Sequence, residues 1–160
     1  MQQRVAALLS DFKPEQSSST RKIKIPVCYD VCFGIDLQEM SNQKQISIEE
    51  LIQLHTAQTY RVYMIGFLPG FAYMGRVHET LITPRKVQPR RTVEAGSVGI
   101  AAEQTGIYPF ASPGGWNIIG QTPLQLFNLK RNEPVLLQAG DEVQFERINI
   151  NTFYQIKNDL

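Results

Sequence analysis

Histidine, cysteine and tryptophan are scarce in this chain: two His, two Cys and one Trp among 160 residues. Cys28 and Cys32 lie close together with no pair of histidines nearby, which argues against a zinc site. The expectation is two reduced thiols, core or half-buried, in a cytoplasmic protein. On a strand their even separation would put both on one face. His55 and His78 are the only imidazoles. His78-Glu79 has the form of a base and its orienter, but no Ser or Cys nucleophile motif accompanies it. His55, at the end of a predicted helix, reads as a packing or capping residue. A Gly-x-x-x-x-Gly-Lys-Ser/Thr loop is also missing, so a P-loop nucleotide site has no support. Charge of one sign is not in excess. The net charge of +1 argues against a nucleic-acid partner recruited by bulk charge. No apolar run approaches the roughly 20 residues of a membrane helix. Met1-Gln2-Gln3-Arg4 leads into only a short apolar patch, so neither membrane insertion nor a secretory signal is expected.

What the chain does have is one block dense in turn residues. Eight of the eleven glycines and five of the nine prolines lie between Ile65 and Trp116. Glycine reaches backbone angles that other residues avoid, and proline fixes φ and removes a donor. Aromatic and arginine side chains stand between the turns: Phe67, Phe71, Tyr73, Arg85, Arg90, Arg91, Tyr108 and Trp116. This is the pattern of a site built on loops. Pro84 and Pro89 keep the arginine stretch extended, which places Arg85 and Arg91 on one side and Arg90 elsewhere. Two guanidinium forks on one side suit a carboxylate, a phosphate or an acidic partner surface. They are equally well read as a solvated basic loop. Ser112-Pro113-Gly114-Gly115-Trp116 is a turn whose amides can approach another group closely, although a lone Trp116 is more often core. Gln104 and Thr105 either orient a ligand amide or simply close a hairpin.

The flanking segments are more regular. Residues 4–12 read as the end of an amphipathic helix, and the Ser-rich residues 13–21 as a linker. Lys22–Cys28 is a predicted strand, with Pro26 marking an edge or bulge. A short helix begins near Gly34 with Asp36 as its cap. Ser47-Ile48-Glu49-Glu50 is a capping box that opens a helix running to about His55, with Ile48, Leu51, Ile52 and His55 on one side. Thr59–Phe67 is the strongest predicted strand. Ser97–Ala102, Gly115–Ile119, Val135–Leu137, Asp141–Arg147 and Asn151–Ile156 are further predicted strands, and Leu124–Phe127 is of undecided type. Many short strands with few helices favour a mainly β, closed or nearly closed barrel.

A family resemblance adds to this reading. The motifs Tyr63-Met64-Ile65-Gly66-Phe67, Pro69-Gly70-Phe71, Thr83-Pro84-Arg85, Pro89-Arg90, Ala95-Gly96-Ser97-Val98-Gly99-Ile100, Gln104-Thr105-Gly106-Ile107-Tyr108-Pro109 and Ser112-Pro113-Gly114-Gly115-Trp116 occur in order. Together they resemble the family of the 5-oxoprolinase B subunit, also called allophanate hydrolase subunit one, which includes the sporulation kinase inhibitor KipI. The resemblance covers about residues 22–147. It implies a cyclophilin-like closed β-barrel over residues 22–160 with short helices at its ends. Residues 1–21 would then be the end of a preceding domain plus a linker. The implied activity is that of a non-autonomous subunit of an ATP-dependent 5-oxoprolinase, opening 5-oxo-L-proline to L-glutamate. ATP would be used by the complex, with no cofactor or metal bound by this chain. The implied partners are the other 5-oxoprolinase subunits, with no nucleic acid and no membrane. A KipI-like module that binds a histidine kinase is the first alternative, and part of a biotin-dependent urea carboxylase system the second. Prolyl isomerisation rests on fold analogy alone. The expected binding residues are Phe67, Pro69, Phe71, Arg85, Arg90, Arg91, Gln104, Thr105, Tyr108, Ser112, Gly114, Gly115 and Trp116, and none is assigned a catalytic role. Three positions depart from the family pattern: Glu94 where Pro is common, Ala102 where Gly is common, and Gln121 where Arg is common. Gln121 removes a charge expected next to the site.

Overall fold

A computed structural model describes residues 20–160. The helix expected over residues 4–12 and nearly all of the linker lie outside that range. Among the described residues nine strands form: β1 (Lys22–Cys28), β2 (Thr59–Ile65), β3 (Ala72–Gly75), β4 (Arg90–Val93), β5 (Ser97–Ala101), β6 (Gln104–Ile107), β7 (Ser112–Gly114), β8 (Asn117–Gln121) and β9 (Glu142–Ile148). The helices among them are α1 (Leu37–Lys44), α2 (Ile48–Thr56) and α3 (Ile150–Asn158), with a 3₁₀ turn at Glu79–Leu81. Seven strands close a barrel in the order β1-β8-β5-β6-β3-β2-β9, as the strand pattern and the resemblance both lead one to expect. β4 and β7 pair only with each other and form a separate two-stranded ribbon.

Alternation decides what fills the barrel. Tyr60 and Val62 of β2, and Val143 and Phe145 of β9, point inward and are buried, while Arg61, Tyr63, Gln144 and Glu146 point out. Ile25, Val27, Val98, Ile100, Ile107 and Ile119 complete the interior, with Leu37, Met40, Leu51 and Ile52 of α1 and α2 packed against it. β5 breaks the alternation because it is buried along its whole length. Its Val98 and Ile100 face the interior, while Ala101 joins a second apolar cluster with Phe71, Val93, Tyr108, Trp116 and Ile118. Pro26 sits in a strand that pairs with β9 along its whole length and meets β8 only at Cys28, so one flank is free at the proline, as an edge requires.

Several sequence expectations need correction. Asn151–Ile156 is not a strand but the body of α3. The Asn149 side chain caps this helix by accepting from the Thr152 amide at 2.8 Å, and Phe153 is its buried anchor. Its β-branched and aromatic residues imitate a strand, and the asparagine cap just before them is the signal for a helix. Val135–Leu137 forms no strand; Val135 makes one isolated bridge to Phe127. Cys28 ends β1 and is buried, whereas Cys32 lies beyond the strand in a turn and is exposed, so the two do not share a face. Ser47 does cap α2, accepting from the Glu50 amide at 3.0 Å. Asp36 occupies the cap position of α1 but makes no capping bond, because its carboxylate is used elsewhere.

Candidate functional site

The second cluster lies on the outer wall of the barrel, between that wall and the β4–β7 ribbon. Trp116 is its centre. A Cβ added at Gly106 would come within 3.0 Å of the indole and 3.2 Å of Phe71, so a bare backbone on β6 is what lets both rings lie against the wall. Phe71 packs edge-on against Trp116 at 5.3 Å, against Tyr108 at 5.2 Å and against Phe67 at 5.8 Å between ring centroids. Tyr73 tilts against Phe71 at 4.8 Å. Phe67 is 66 % exposed and sits at a φ of 68°, in the left-handed region that a bulky side chain seldom adopts.

Arg85 lies over this cluster, its guanidinium carbon 5.9 Å from the centroid of the Trp116 ring. Its position comes from the residue before it. The buried amide of Asn117 donates to the carbonyl of Pro84 at 2.9 Å and to that of Ile100 at 3.1 Å, tying the arginine loop to β5 and β8. Lys86 donates its backbone N–H to the carbonyl of Gly115 at 2.7 Å.

Arg90 is held by Asp36. Arg90 Nη2 donates to Asp36 Oδ1 at 2.6 Å, Lys86 Nζ approaches the same oxygen at 2.9 Å, and the Ile118 backbone N–H donates to Oδ2 at 2.7 Å. Lys86 Nζ also reaches Glu39 at 2.5 Å. Burial opposes ionisation of Asp36, but the bonds from Arg90, the Ile118 amide and Lys86 outweigh it and hold the carboxyl below its usual range. Tyr108 is the reverse case. Burial raises its phenol, and the Trp116 backbone, Arg85 and Arg90 only partly offset this, so it stays neutral at physiological pH. The Tyr108 hydroxyl lies so close to Gly114 that any side chain there would collide with it, at 2.2 Å from an added Cβ.

The expected residues therefore separate. Phe67, Phe71, Arg85, Arg90, Tyr108, Ser112, Gly114, Gly115 and Trp116 gather around the ribbon. Pro69 is exposed on the turn between Phe67 and Phe71. Arg91 is exposed and follows the tethered Arg90 on β4; the pairing of Arg85 with Arg91 gives way to Arg85 with Arg90. Thr105 does not reach the site. It is 0 % exposed inside the barrel, where its hydroxyl donates to the carbonyl of Gly99 at 3.0 Å and meets His55 Nε2 at 3.0 Å. Gln104 opens β6 beside Gly75 and Ala101 and is half-buried. Gln121 lies apart from the arginines. It donates to the carbonyl of Ala95 at 2.6 Å and lines a groove of about 780 Å³ with Phe110, Leu124 and Phe127, which contains none of the expected site residues. Asp36, Lys86 and Asn117 support the site and were not expected there. The only signal for Asp36 was its place before α1, which pointed to a different role.

Among the described residues no group of three or more His, Cys, Asp or Glu is arranged to hold a metal ion. No helix among them is long and apolar enough to cross a membrane.

Comparison with known proteins follows the same lines. The carboxyltransferase domain family, subdomain C and D, matches residues 1–137. The B subunit of 5-oxoprolinase from Bacillus subtilis is 45 % identical over 99 % of this chain, and the chain spans 65 % of that relative's length. The crystal structure of a conserved uncharacterized protein from Pyrococcus horikoshii superposes with a TM-score of 0.80 at 46 % identity, covering 83 % of this chain and 62 % of that one. The Kluyveromyces lactis urea carboxylase shares the fold alone, with a TM-score of 0.72 at 17 % identity over 99 % of this chain and 17 % of that one.

Proposed function

We propose, for a chain that belongs to the carboxyltransferase domain family of subdomains C and D and is related to the B subunit of 5-oxoprolinase, that it is a non-autonomous subunit of an ATP-dependent 5-oxoprolinase. It would act with other subunits in opening 5-oxo-L-proline to L-glutamate. The observation that carries this reading is the character of the ribbon site. Arg85 on Trp116, the tethered Arg90 and the neutral Tyr108 are groups that bind and orient. His55 is sealed in the barrel and His78 caps the 3₁₀ turn, accepting from the Thr80 amide, so neither imidazole faces the ribbon as a base. Such a site positions a substrate, and the ATP-dependent chemistry falls to partner subunits.

The test is co-expression with the proteins encoded beside this chain, followed by an assay of ATP-dependent glutamate release from 5-oxo-L-proline. Activity that needs all components is the expected outcome. A stable complex without activity, or no complex at all, would contradict the reading and shift attention to regulatory binding of a histidine kinase.

A further inference from the structure

The outer face of β2 and β3 carries large apolar side chains that no described residue covers. Val62 pairs with Met74 and Met64 with Tyr73, so Tyr63 is an extra residue with no partner on β3. This bulge resets the alternation. Val62 and Ile65 pack on the barrel interior, while Tyr63 and Met64, neighbours in sequence, both turn outward and are 58 % and 54 % exposed. Two bare backbones make room for them. A Cβ added at Gly75 would come within 3.0 Å of the Tyr63 ring, and one at Gly66 within 3.2 Å of the Met64 methyl. Tyr73, beside Met64, continues the patch to Phe71, and Phe71 continues it to Phe67.

The turn around Phe67 holds that ring out in solvent. Its positive φ costs a bulky residue free energy. Backbone bonds fix the turn that imposes it: the Gly66 N–H donates to the Phe71 carbonyl at 3.1 Å, Leu68 to Gly66 at 2.8 Å and Phe71 to Leu68 at 2.9 Å. Strain kept in a rigid turn that presents an aromatic ring is the mark of a contact prepared in advance. Tyr, Phe and Met are also the residues enriched at the centres of protein interfaces. The rim supplies the charge. Arg76 pairs with Glu103 at 2.6 Å, and Arg61 stands opposite Glu142 in the β2–β9 register. Arg85, reached through Tyr73 and Trp116, meets no carboxylate among the described residues, so the rim keeps one positive charge in surplus. That sign repels a second copy of the same face and draws an acidic one. It is too little for an anionic lipid surface, which takes clusters of about four to eight basic residues.

We propose that the face formed by Tyr63, Met64, Tyr73 and Phe67 is the docking surface for a different, acidic protein subunit. Apolar side chains of that subunit settle among these four, and the surplus charge of Arg85 steers its acidic face onto the patch. This deepens the reading of a non-autonomous subunit and rests on that reading for the identity of the partner.

The test pairs the full chain with the purified proteins encoded beside it. Affinity is measured by titration calorimetry, and association rates by surface plasmon resonance at low and high salt. One of those proteins is expected to bind, with an association rate that falls as salt rises. Tyr63→Ser and Phe67→Gly each weaken binding by about ten- to a hundred-fold. Phe67→Gly does so without lowering the melting temperature, because glycine adopts the positive φ freely. Leu129→Ser, at an exposed apolar residue of the groove beside Gln121, leaves the affinity unchanged. Unaltered binding by both folded patch variants, or binding by none of those proteins, would overturn the surface. Self-association of the free chain, or adsorption to phosphatidylglycerol vesicles, that Phe67→Gly abolishes would overturn it too. A complex that needs the patch but releases no glutamate would end the 5-oxoprolinase reading and leave the docking surface standing. Glutamate release by a complex whose affinity neither patch variant changes would do the reverse.

Discussion

The inside of the barrel and the space under the ribbon both bury polar side chains among aromatic rings, and they treat them in opposite ways. Inside, the bonds close on one another. The Thr105 hydroxyl donates to the carbonyl of Gly99, so it accepts from His55 Nε2–H; His55 Nδ1 is then the acceptor of the Tyr29 hydroxyl at 2.8 Å. Tyr60 donates to the His55 carbonyl at 2.8 Å, and Phe145 stacks on the imidazole at 4.6 Å. Under the ribbon, the carboxylate of Asp36 is fully engaged, but Arg90 Nη1 and Ser112 Oγ are not. A closed network of bonds holds a fold in one arrangement, whereas a buried donor without a partner costs stability.

The largest effect is expected inside. His55→Ala removes a stacked ring and breaks a chain of three bonds, and should cost about 3–5 kcal/mol in chemical denaturation. A smaller cost would mean that the interior network is not what holds the barrel. Acid should expose the same residue. Burial lowers His55 from 6.5 to about 3, so between those values the unfolded chain binds a proton that the folded chain refuses. Stability is then fully present above about pH 6.5 and falls as pH drops toward 3, with Asp36 adding its own loss only below about 3.8. A variant lacking His55 should show a flatter profile from about pH 6.5 to 4.

Asp36→Ala comes next, at about 3 kcal/mol. It strips the partner from Arg90 and Lys86 and the acceptor from the Ile118 amide, and the partial exposure of both cations keeps the loss at the low end for a broken buried pair. Were Asp36 only a helix cap, the cost would stay near about 1 kcal/mol. Ser47→Ala, a cap in fact, should cost about that much in thermal melting. The smallest change should be a gain. Ala102 sits at a φ of 51°, and Ala102→Gly should stabilise the barrel by up to about 1 kcal/mol in the same melts.

The barrel was legible because period-two alternation in β1, β2 and β9 is a local signal, and the capping box of α2 is written in four residues. The site was legible only in part. Glycines and prolines marked where the chain turns, but β4 and β7 pair across an intervening hairpin of the barrel, and no local pattern carries that pairing. Extended spacing put Arg85 with Arg91, whereas Asp36, far away in sequence, selects Arg90 instead. Thr105 read as a turn residue because its partner His55 is fifty residues distant. The family pattern marked Ala102 as a glycine position, and the positive φ gives the physical reason.

The central claim is that Arg85, the cation of the ribbon side that no carboxylate holds, serves binding and contributes little to holding the fold. Arg85→Ala separates the two most cleanly, because its guanidinium rests on Trp116 and touches no carboxylate among the described residues. The measurement is the proposed activity, glutamate release from 5-oxo-L-proline in a complex assembled with this variant, alongside its denaturation midpoint. The account predicts a stability change of less than about 0.5 kcal/mol, as for a surface substitution, together with loss of most of the activity. A variant that retains full activity would contradict it.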